Sequence, residues 1–142
     1  MTHSFRIDGL VALVTGAGSG IGAVTAHNYS AVHPSAINEA FVKAYKASSG
    51  GGRPDFVAVH TYDAMHLVYA ALEKTGGDAN GDKLIAAMKG MSFESPRGPI
   101  TIDPDTRDII QNIYIREVKR GNDGELYNVE LETFENVKDP VK

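Results

Sequence analysis

Two stretches and the turn between them decide how the C-terminal part of this chain folds: residues 109–118 (IIQNIYIREV), Gly121-Asn122-Asp123-Gly124 and residues 125–131 (ELYNVEL). Apolar side chains alternate with polar ones on both sides of the turn, at positions 109, 113 and 115 before it and 127, 129 and 131 after it. Such alternation is typical of half-buried strands, and a glycine-rich Asn-Asp turn between two strands predicts a hairpin. The sequence therefore predicts two antiparallel strands that close the C-terminal end of the fold.

Upstream of this hairpin the apolar pattern is mainly helical. Ser35 is suited to cap a helix over 36–46, in which apolar residues recur at three- and four-residue spacing. A second helix is predicted from Pro54 to the pair Gly76-Gly77, and a short third helix over 82–89. Short strands are predicted over 24–29 and 98–103. The predicted fold class is α/β, with a few strands, three helices packed on them and the C-terminal hairpin.

Six stretches in this order of elements carry a resemblance: Ala26–Ser30, Asn38–Tyr45, Tyr62–Leu67, Leu84–Gly90, Glu94–Asp103 and Glu125–Glu130. Together they resemble the C-terminal part of a type I periplasmic solute-binding protein, in the leucine/isoleucine/valine-binding branch that feeds ABC importers. The resemblance covers nearly all residues after 22 and implies a partial lobe of a two-lobed, non-catalytic receptor. Such receptors clamp an amino acid or small organic acid between their lobes, so a branched-chain amino acid or related acid is the implied ligand.

The same resemblance implies where a ligand would be contacted. The start of the second helix would lie near the cleft, which makes Val57, His60 and Tyr62 candidates for substrate binding, and Tyr29 follows a strand end that would line the cleft. The alternative is structural, with Tyr62 packed in the core and His60 facing solvent. Both interpretations stay open at the level of sequence.

The N-terminal residues carry a different signature. The apolar run Val11-Ala12-Leu13-Val14 predicts a buried strand, and Thr15-Gly16-Ala17-Gly18-Ser19-Gly20-Ile21-Gly22 follows it at once. Glycines at this spacing let backbone N–H groups approach a pyrophosphate at a helix N-terminus. The segment resembles the start of short-chain dehydrogenase/reductases, a Rossmann-like strand and glycine loop. The resemblance implies NAD or NADP binding by Gly16, Ser19, Gly20, Ile21 and Gly22.

The residues after the glycine loop depart from that enzyme family. Residues 23–30 favour a strand over the expected helix, and no acidic residue ends a second strand about 20 positions on. None of the six tyrosines is followed four positions later by lysine, so the family's Tyr-x-x-x-Lys pair for proton transfer is absent from this sequence. We therefore divide the chain at residue 22, into a dehydrogenase-like piece (1–22) and a receptor fragment (23–142). The alternatives are an oxidoreductase relic and a chimeric product without selected function.

Composition limits the remaining function classes. A net charge of −4 and scattered basic residues give no surface for nucleic acid, and no apolar run is long enough for membrane insertion. With no cysteine and five dispersed histidines, no metal site is predicted.

Asp8 and the glycines after the first apolar run argue against a signal peptide, so we expect the chain in the cytoplasm. Helix faces and sheet edges left exposed in a partial lobe predict a homo-oligomer.

Overall fold

The computed structural model describes residues 24–140, and within them the chain forms three helices and five strands. The elements are β1 (Val24–His27), α1 (Ala36–Ser48), α2 (Phe56–Lys74), α3 (Gly81–Met88), β2 (Ser92–Ser95), β3 (Gly98–Ile102), β4 (Ile109–Arg120) and β5 (Leu126–Val137). The predicted strand and glycine loop of residues 11–22 lie outside the described residues, so the division of the chain at residue 22 stays a prediction.

The strands form one antiparallel sheet in which β4 is central. The order is β1-β4-β3-β2, and β5 pairs with β4 as well. β5 follows β4 from Gln111 to Arg120, whereas β3 pairs with residues 109–111 and β1 with residues 114–117. Because a strand has only two edges, β1 and β3 share one edge of β4 and β5 takes the other. The predicted C-terminal hairpin is confirmed, and its register shifts between Ile115 and Arg116.

Strand β2 was not predicted from the sequence. Its four residues, Ser92–Ser95, hold a single apolar side chain, which gives no alternation to detect. The strand forms because the short connection Pro96-Arg97 returns the chain onto it, so that Phe93 lies opposite Ile100 and Ser95 opposite Gly98. Partner pairing, not local propensity, creates this strand.

The helices begin and end at local signals. Ser35 caps α1, its side chain accepting a hydrogen bond from the Asn38 backbone N–H, as predicted. The predicted start of α2 needs one correction: Asp55 is the N-cap and Pro54 precedes the helix, because the Asp55 carboxylate accepts from the Ala58 backbone N–H. Gly76 and Gly77 follow α2 with positive φ angles of 65° and 86°, which most other residues disfavour.

A small aromatic core joins β1 to the first two helices. Tyr29, Phe41 and Val59 are buried together, and Tyr62 packs against them. The rings of Phe41 and Tyr62 lie 5.0 Å apart, and those of Tyr29 and Phe41 6.5 Å apart in an edge-to-face arrangement. Aromatic pairs of this geometry add stabilisation beyond the area they bury.

A buried ion pair ties α2 to the β2–β3 connection. The Arg97 Nε lies 2.7 Å from Asp63 Oδ2, with the two side chains 1% and 4% exposed. Arg97 Nη1 also donates to Gln111 Oε1 of β4, and the backbone oxygen of Arg97 accepts from the Tyr114 hydroxyl at 2.7 Å. One residue of a short turn therefore contacts a helix and the central strand at once.

Several large apolar side chains remain exposed within the described part of the chain. On α2, Val57, Met65 and Tyr69 are 55%, 42% and 62% exposed and follow one another at multiples of four residues. By contrast, β5 carries glutamates at 130, 132 and 135, and charges of this kind oppose pairing of an edge strand with a second copy. Self-association stays a prediction, and this face of α2 is the surface that it would use.

Substitution of Gly98 tests the tight packing at the start of β3. Gly98 has a φ of +94°, and an added Cβ would lie 2.5 Å from the Tyr114 hydroxyl oxygen. We expect Gly98→Ala to lower the free energy of unfolding by about 3 kcal/mol, since it strains the backbone and displaces the hydroxyl from Arg97. Gly124→Ala is the matched control, because its φ is +83° with nothing within 4 Å of the added atom. A cost of about 1 kcal/mol is expected there, measured by urea denaturation. Equal losses in the two variants would contradict the predicted clash.

Substitution of Asp63 tests the buried ion pair. Asp63→Ala leaves the Arg97 charge buried without its carboxylate, and we expect a loss of about 3–5 kcal/mol of unfolding free energy. The double variant Asp63→Leu/Arg97→Met should recover most of that loss, because it removes both buried charges. Asp78→Ala, which breaks the exposed pair with Lys83, serves as the control and should have little effect. A double variant as unstable as Asp63→Ala would show that the pair is not the source of the loss.

Candidate functional site

A cavity that is a candidate for ligand binding lies where β1, α2, β4 and β5 meet. We call it the His27 cavity. It has a volume of about 510 Å³ and is lined by His27, Tyr29, Ser30, Ala31, Val32, Arg53, Pro54, Asp55, Phe56, Arg116, Leu126, Tyr127 and Asn128. The end of β1 and its following turn form one side, and the N-terminus of α2 forms another. Such a volume accommodates a small organic ligand.

Arg116 places a positive charge in the wall of this cavity. Its Nη1 donates to the Tyr29 backbone oxygen and its Nη2 to Thr25 Oγ1 at 3.1 Å, and both acceptors are neutral. Its Nε is buried and has no hydrogen-bond partner among residues 24–140. Burial lowers the pKa of Arg116, while Glu130 acts in the opposite direction. The guanidinium stays protonated at neutral pH, so this wall attracts an anionic group.

Phe56 lies between two histidine rings. Its ring centroid is 5.2 Å from that of His27 and 5.9 Å from that of His60, and the Phe56 side chain is 47% exposed. Burial, followed by the charge of Arg116, lowers the pKa of His27 to about 4. Burial also lowers the pKa of His60, and Arg97 adds to this effect. Both imidazoles are therefore neutral at pH 7, and the row of three rings presents an aromatic surface without charge.

Asn28 fixes the orientation of His60. The Asn28 Nδ2 donates to Gln111 Oε1 at 2.9 Å and lies 3.0 Å from His60 Nε2. Because the amide nitrogen of Asn28 can only donate, His60 Nε2 accepts the hydrogen bond. The proton of the neutral His60 ring is therefore on Nδ1. The position of the His60 ring is thus set by β1 and β4 as well as by its own helix.

Arg53 and Tyr127 form the rim of the His27 cavity. The Arg53 guanidinium carbon lies 4.6 Å above the Tyr127 ring centroid, a cation–π contact. Arg53 also donates to the Leu126 backbone oxygen at 2.6 Å and to Glu125 Oε2 at 3.2 Å. Since its charge already has a carboxylate partner, Arg53 offers less to an anionic ligand than Arg116 does.

A second, smaller cavity lies between α2 and the sheet. We call it the Arg97 cavity. It has a volume of about 210 Å³ and is lined by His60, Asp63, Ala64, Leu67, Phe93, Arg97, Ile100, Ile102, Arg107 and Ile109. Apolar side chains form most of its wall, and its polar residues are the ion pair of Arg97 with Asp63, His60 and the exposed Arg107.

The structure separates the four residues that the sequence suggested for substrate binding. Tyr29 lines the His27 cavity but is buried, and its hydroxyl donates to Asn38 Oδ1 at 3.3 Å; burial raises its pKa. His60 lines the Arg97 cavity. Val57 is exposed on α2, and Tyr62 packs on the aromatic core, so these two residues line neither cavity.

Most of the charged and aromatic residues that line the cavities were not predicted from the sequence. His27, Phe56, Arg97 and Arg116 were not singled out, because each is isolated in sequence and meets the others only in the folded chain. Arg116 follows Ile115 at a polar position of the alternating strand, so the pattern does not distinguish it from a solvent-facing cation. Arg97 stands in Ser-Pro-Arg-Gly-Pro, a rigid connection that holds its backbone close to β4.

Within residues 24–140 no group of three or more histidine or acidic side chains is arranged to hold a metal ion. No helix of that part of the chain is long and apolar enough to cross a membrane. The residues predicted to bind a dinucleotide, Gly16 to Gly22, lie outside the described part, so that hypothesis stays a prediction.

Comparisons with known proteins identify the family. A sequence profile described as "Periplasmic binding protein" matches residues 3–125. "Leu/Ile/Val-binding protein homolog 6" of Brucella abortus is 45% identical over 121 residues, which cover 84% of this chain and 31% of that protein.

Two solved structures are similar as well. A solute-binding protein of an ABC transporter from Rhodopseudomonas palustris BisB5, in complex with 3,4-dihydroxybenzoic acid, is 62% identical with a TM-score of 0.81, covering 88% of this chain and 35% of that one. A solute-binding protein from R. palustris HaA2, in complex with p-hydroxybenzoic acid, is 41% identical with a TM-score of 0.71. That match covers 80% of this chain and 31% of the other.

The chain thus spans about a third of the length of these relatives. They are binding proteins and not enzymes, in agreement with the non-catalytic function that the receptor resemblance implies. The expectation of a cytoplasmic location is wrong, because the matching family is periplasmic. That expectation rested on the polar and glycine residues around the first apolar run, a weaker signal than a match over most of the chain. With three helices and an antiparallel sheet that correspond to part of a lobe, this chain belongs to the periplasmic binding protein family.

Proposed function

We propose that this chain forms part of an ABC-importer solute receptor whose ligand is a hydroxylated aromatic carboxylate, bound at the His27 cavity. The observation that carries the proposal is Arg116, a half-buried guanidinium whose hydrogen bonds within the described residues go to neutral oxygens. It lines a cavity large enough for a benzoate, beside the exposed ring of Phe56. The ligands in the two similar solved structures, 3,4-dihydroxybenzoic and p-hydroxybenzoic acid, support the same class.

The carboxylate of the ligand would interact with Arg116. A guanidinium and a carboxylate form short, charge-assisted hydrogen bonds that are about twice as strong as neutral ones. The half-buried position of Arg116 reduces screening by solvent, so the attraction between the two charges is larger there than on an open surface. Arg53 at the rim adds a second positive charge, partly balanced by Glu125.

The aromatic ring of the ligand would pack on Phe56 and Tyr127. Phe56 is nearly half exposed, which leaves one edge of its ring free for an edge-to-face contact with a ligand. The neutral imidazole of His27 lies beside it, and the His27 Nδ1 is buried without a hydrogen-bond partner among residues 24–140. A phenolic hydroxyl supplies either a donor or an acceptor to such a nitrogen, which favours a hydroxylated ring over plain benzoate.

A branched-chain amino acid is the second candidate ligand, and the name of the Brucella relative supports it. Asp55 lines the His27 cavity and would be the partner of an α-ammonium group. Its carboxylate already accepts a hydrogen bond from the Ala58 backbone N–H, because it caps α2. An aromatic carboxylate needs no such partner, and we therefore favour it. Tyr29, Val57, His60 and Tyr62 remain proposed ligand contacts, of which Tyr29 alone lines this cavity.

Binding of p-hydroxybenzoate by the 142-residue chain, measured by isothermal titration calorimetry beside benzoate and leucine, tests the proposal. We expect p-hydroxybenzoate to bind tightest, benzoate more weakly and leucine weakest. Phe56→Leu should weaken p-hydroxybenzoate binding about tenfold, since it removes the aromatic edge while keeping an apolar side chain. Arg116→Gln should weaken both aromatic acids at least tenfold.

Two control variants accompany these substitutions. Met65→Leu changes an exposed apolar side chain on the same helix, and Arg120→Gln removes an exposed cation from the same strand. Neither should change the affinity for p-hydroxybenzoate. Leucine binding tighter than the aromatic acids, or equal losses in the control variants, would overturn the assignment.

Neutral His27 also makes a pH-dependent contribution to stability. Its pKa falls from 6.5 in the unfolded chain to about 4 in the folded one, so the unfolded state binds more protons between these values. The contribution is fully present above pH 6.5, is lost as the pH falls towards 4, and changes no further below that. Between pH 7 and pH 5 we expect the free energy of unfolding to fall by about 2 kcal/mol through His27. His27→Gln should remove this part of the pH dependence, measured by urea denaturation at each pH. Parallel pH profiles for the two proteins would contradict the lowered pKa.

A further inference from the structure

The Arg97 cavity holds two buried polar atoms that lack partners within the described residues. Arg97 is 2% exposed and Asp63 3% exposed, and both line the cavity. Arg97 uses its Nε for Asp63 and its Nη1 for Gln111, and Asp63 uses its Oδ2 for Arg97. The Arg97 Nη2 and the Asp63 Oδ1 have no hydrogen-bond partner among residues 24–140. One donor and one acceptor are thus left unsatisfied in the same ion pair.

The unsatisfied donor and the unsatisfied acceptor belong to one ion pair, and together they indicate which chemical group could satisfy both. A hydroxyl accepts a hydrogen bond from the guanidinium and donates its proton to the carboxylate. A carboxylate satisfies only the donor and would bring its charge close to the Asp63 oxygen. An ammonium satisfies only the acceptor and would face the Arg97 charge. The charges of the pair offset each other, and Arg107, the remaining charged residue of the lining, is exposed to solvent, so the position at the ion pair favours a neutral hydroxyl group.

The rest of the cavity favours an apolar body attached to that hydroxyl. Leu67, Phe93, Ile100 and Ile102 contribute side chains without hydrogen-bonding groups to its wall. Its volume of about 210 Å³ is several times the roughly 30 Å³ that one water occupies in the liquid. Water that fills such a space would satisfy the ion pair but gain little from the apolar wall, whereas a phenol-sized ring covers it.

We propose that the Arg97 cavity is a second binding site, for a small neutral molecule with one hydroxyl on an apolar or aromatic body. The hydroxyl bridges Arg97 Nη2 and Asp63 Oδ1, and the body packs between α2 and β3. The site is separate from the His27 cavity, with which it shares no lining residue. The proposal therefore does not depend on the proposed function, and either one can fail without the other.

Phenol and anisole are the probes for this site. They differ in that anisole has no proton to donate to Asp63. We expect saturable binding of phenol to the 142-residue chain in the millimolar range or below, and at least about tenfold weaker binding of anisole, by titration calorimetry. Methyl chemical-shift changes should be centred on Leu67, Ile100 and Ile102, which line this cavity and not the other.

Ala64→Leu provides a variant that keeps the ion pair. Ala64 is an exposed residue of α2 that lines the cavity, and leucine is a good helix former there, so the chain should fold normally. The added side chain fills the cavity and should weaken phenol binding at least about tenfold. Ala44→Leu, at an exposed position of α1, is the matched control and should leave binding unchanged.

Phe56→Leu separates the two sites, because Phe56 lines the His27 cavity and does not line the Arg97 cavity. Phenol affinity should survive in this variant even where affinity for p-hydroxybenzoate falls. Equal affinity for phenol and anisole, no saturable phenol binding, or phenol binding that Phe56→Leu removes and Ala64→Leu spares would each overturn the second site.

Discussion

The contact between Arg97 and Asp63 is the constraint on which both cavities depend. Arg97 projects from the two-residue connection between β2 and β3, and Asp63 lies on the inner face of α2. Burial of two charges costs free energy that their attraction only partly offsets, so an ion pair of this kind contributes more to a unique arrangement than to net stability. A helix docked on a sheet by apolar contacts alone can shift along it with little penalty, whereas a shift here would leave a buried guanidinium without its carboxylate.

The same guanidinium reaches the strands that hold the His27 cavity. Arg97 donates to Gln111 of β4, and the Gln111 side chain in turn accepts from Asn28, which follows β1. Asn28 then sets the tautomer of His60 on α2. The chain of contacts runs from the β2–β3 connection through β4 and β1 and returns to the helix from which Asp63 projects. His27 and Phe56 lie beside this loop of hydrogen bonds, so the aromatic row of the larger cavity is held by the network that lines the smaller one.

The elements that depend on local chemistry were predictable from the sequence. Three local signals mark where a helix begins, where a helix ends and where strands reverse: Ser35, the pair Gly76-Gly77 and the turn at residues 121–124. Each was predictable because it acts on its own neighbours. Strand β2 was missed because Ser92–Ser95 becomes a strand only by pairing with β3. The site was harder still, since Arg116 and Phe56 are 60 positions apart and nothing near either residue indicates the other. The resemblance to solute receptors indicated the right family and directed attention to α2. Of the residues that it suggested, Tyr29 lines the His27 cavity and His60 the Arg97 cavity, whereas Val57 and Tyr62 line neither. Phe56, next to Val57, was missed.

The two cavities differ in how the charge of their arginine is balanced, and this difference separates the ligands that we propose for them. In the His27 cavity, the hydrogen bonds of Arg116 go to a backbone oxygen and a threonine hydroxyl. The nearby Glu130, which contacts His33, offsets the charge of Arg116 only in part, so the remainder is left for a ligand to neutralise. In the Arg97 cavity, Asp63 neutralises the guanidinium and leaves one unsatisfied donor and one unsatisfied acceptor within the described residues. A benzoate therefore gains most at the first cavity, where its charge is matched, and an uncharged phenol gains most at the second. A hydroxybenzoate carries both groups on one ring, but in the Arg97 cavity its carboxylate would have to lie at the rim near the exposed Arg107 for the hydroxyl to reach the ion pair. The balance of charge around each arginine, more than the size of either cavity, decides which end of such a molecule is recognised.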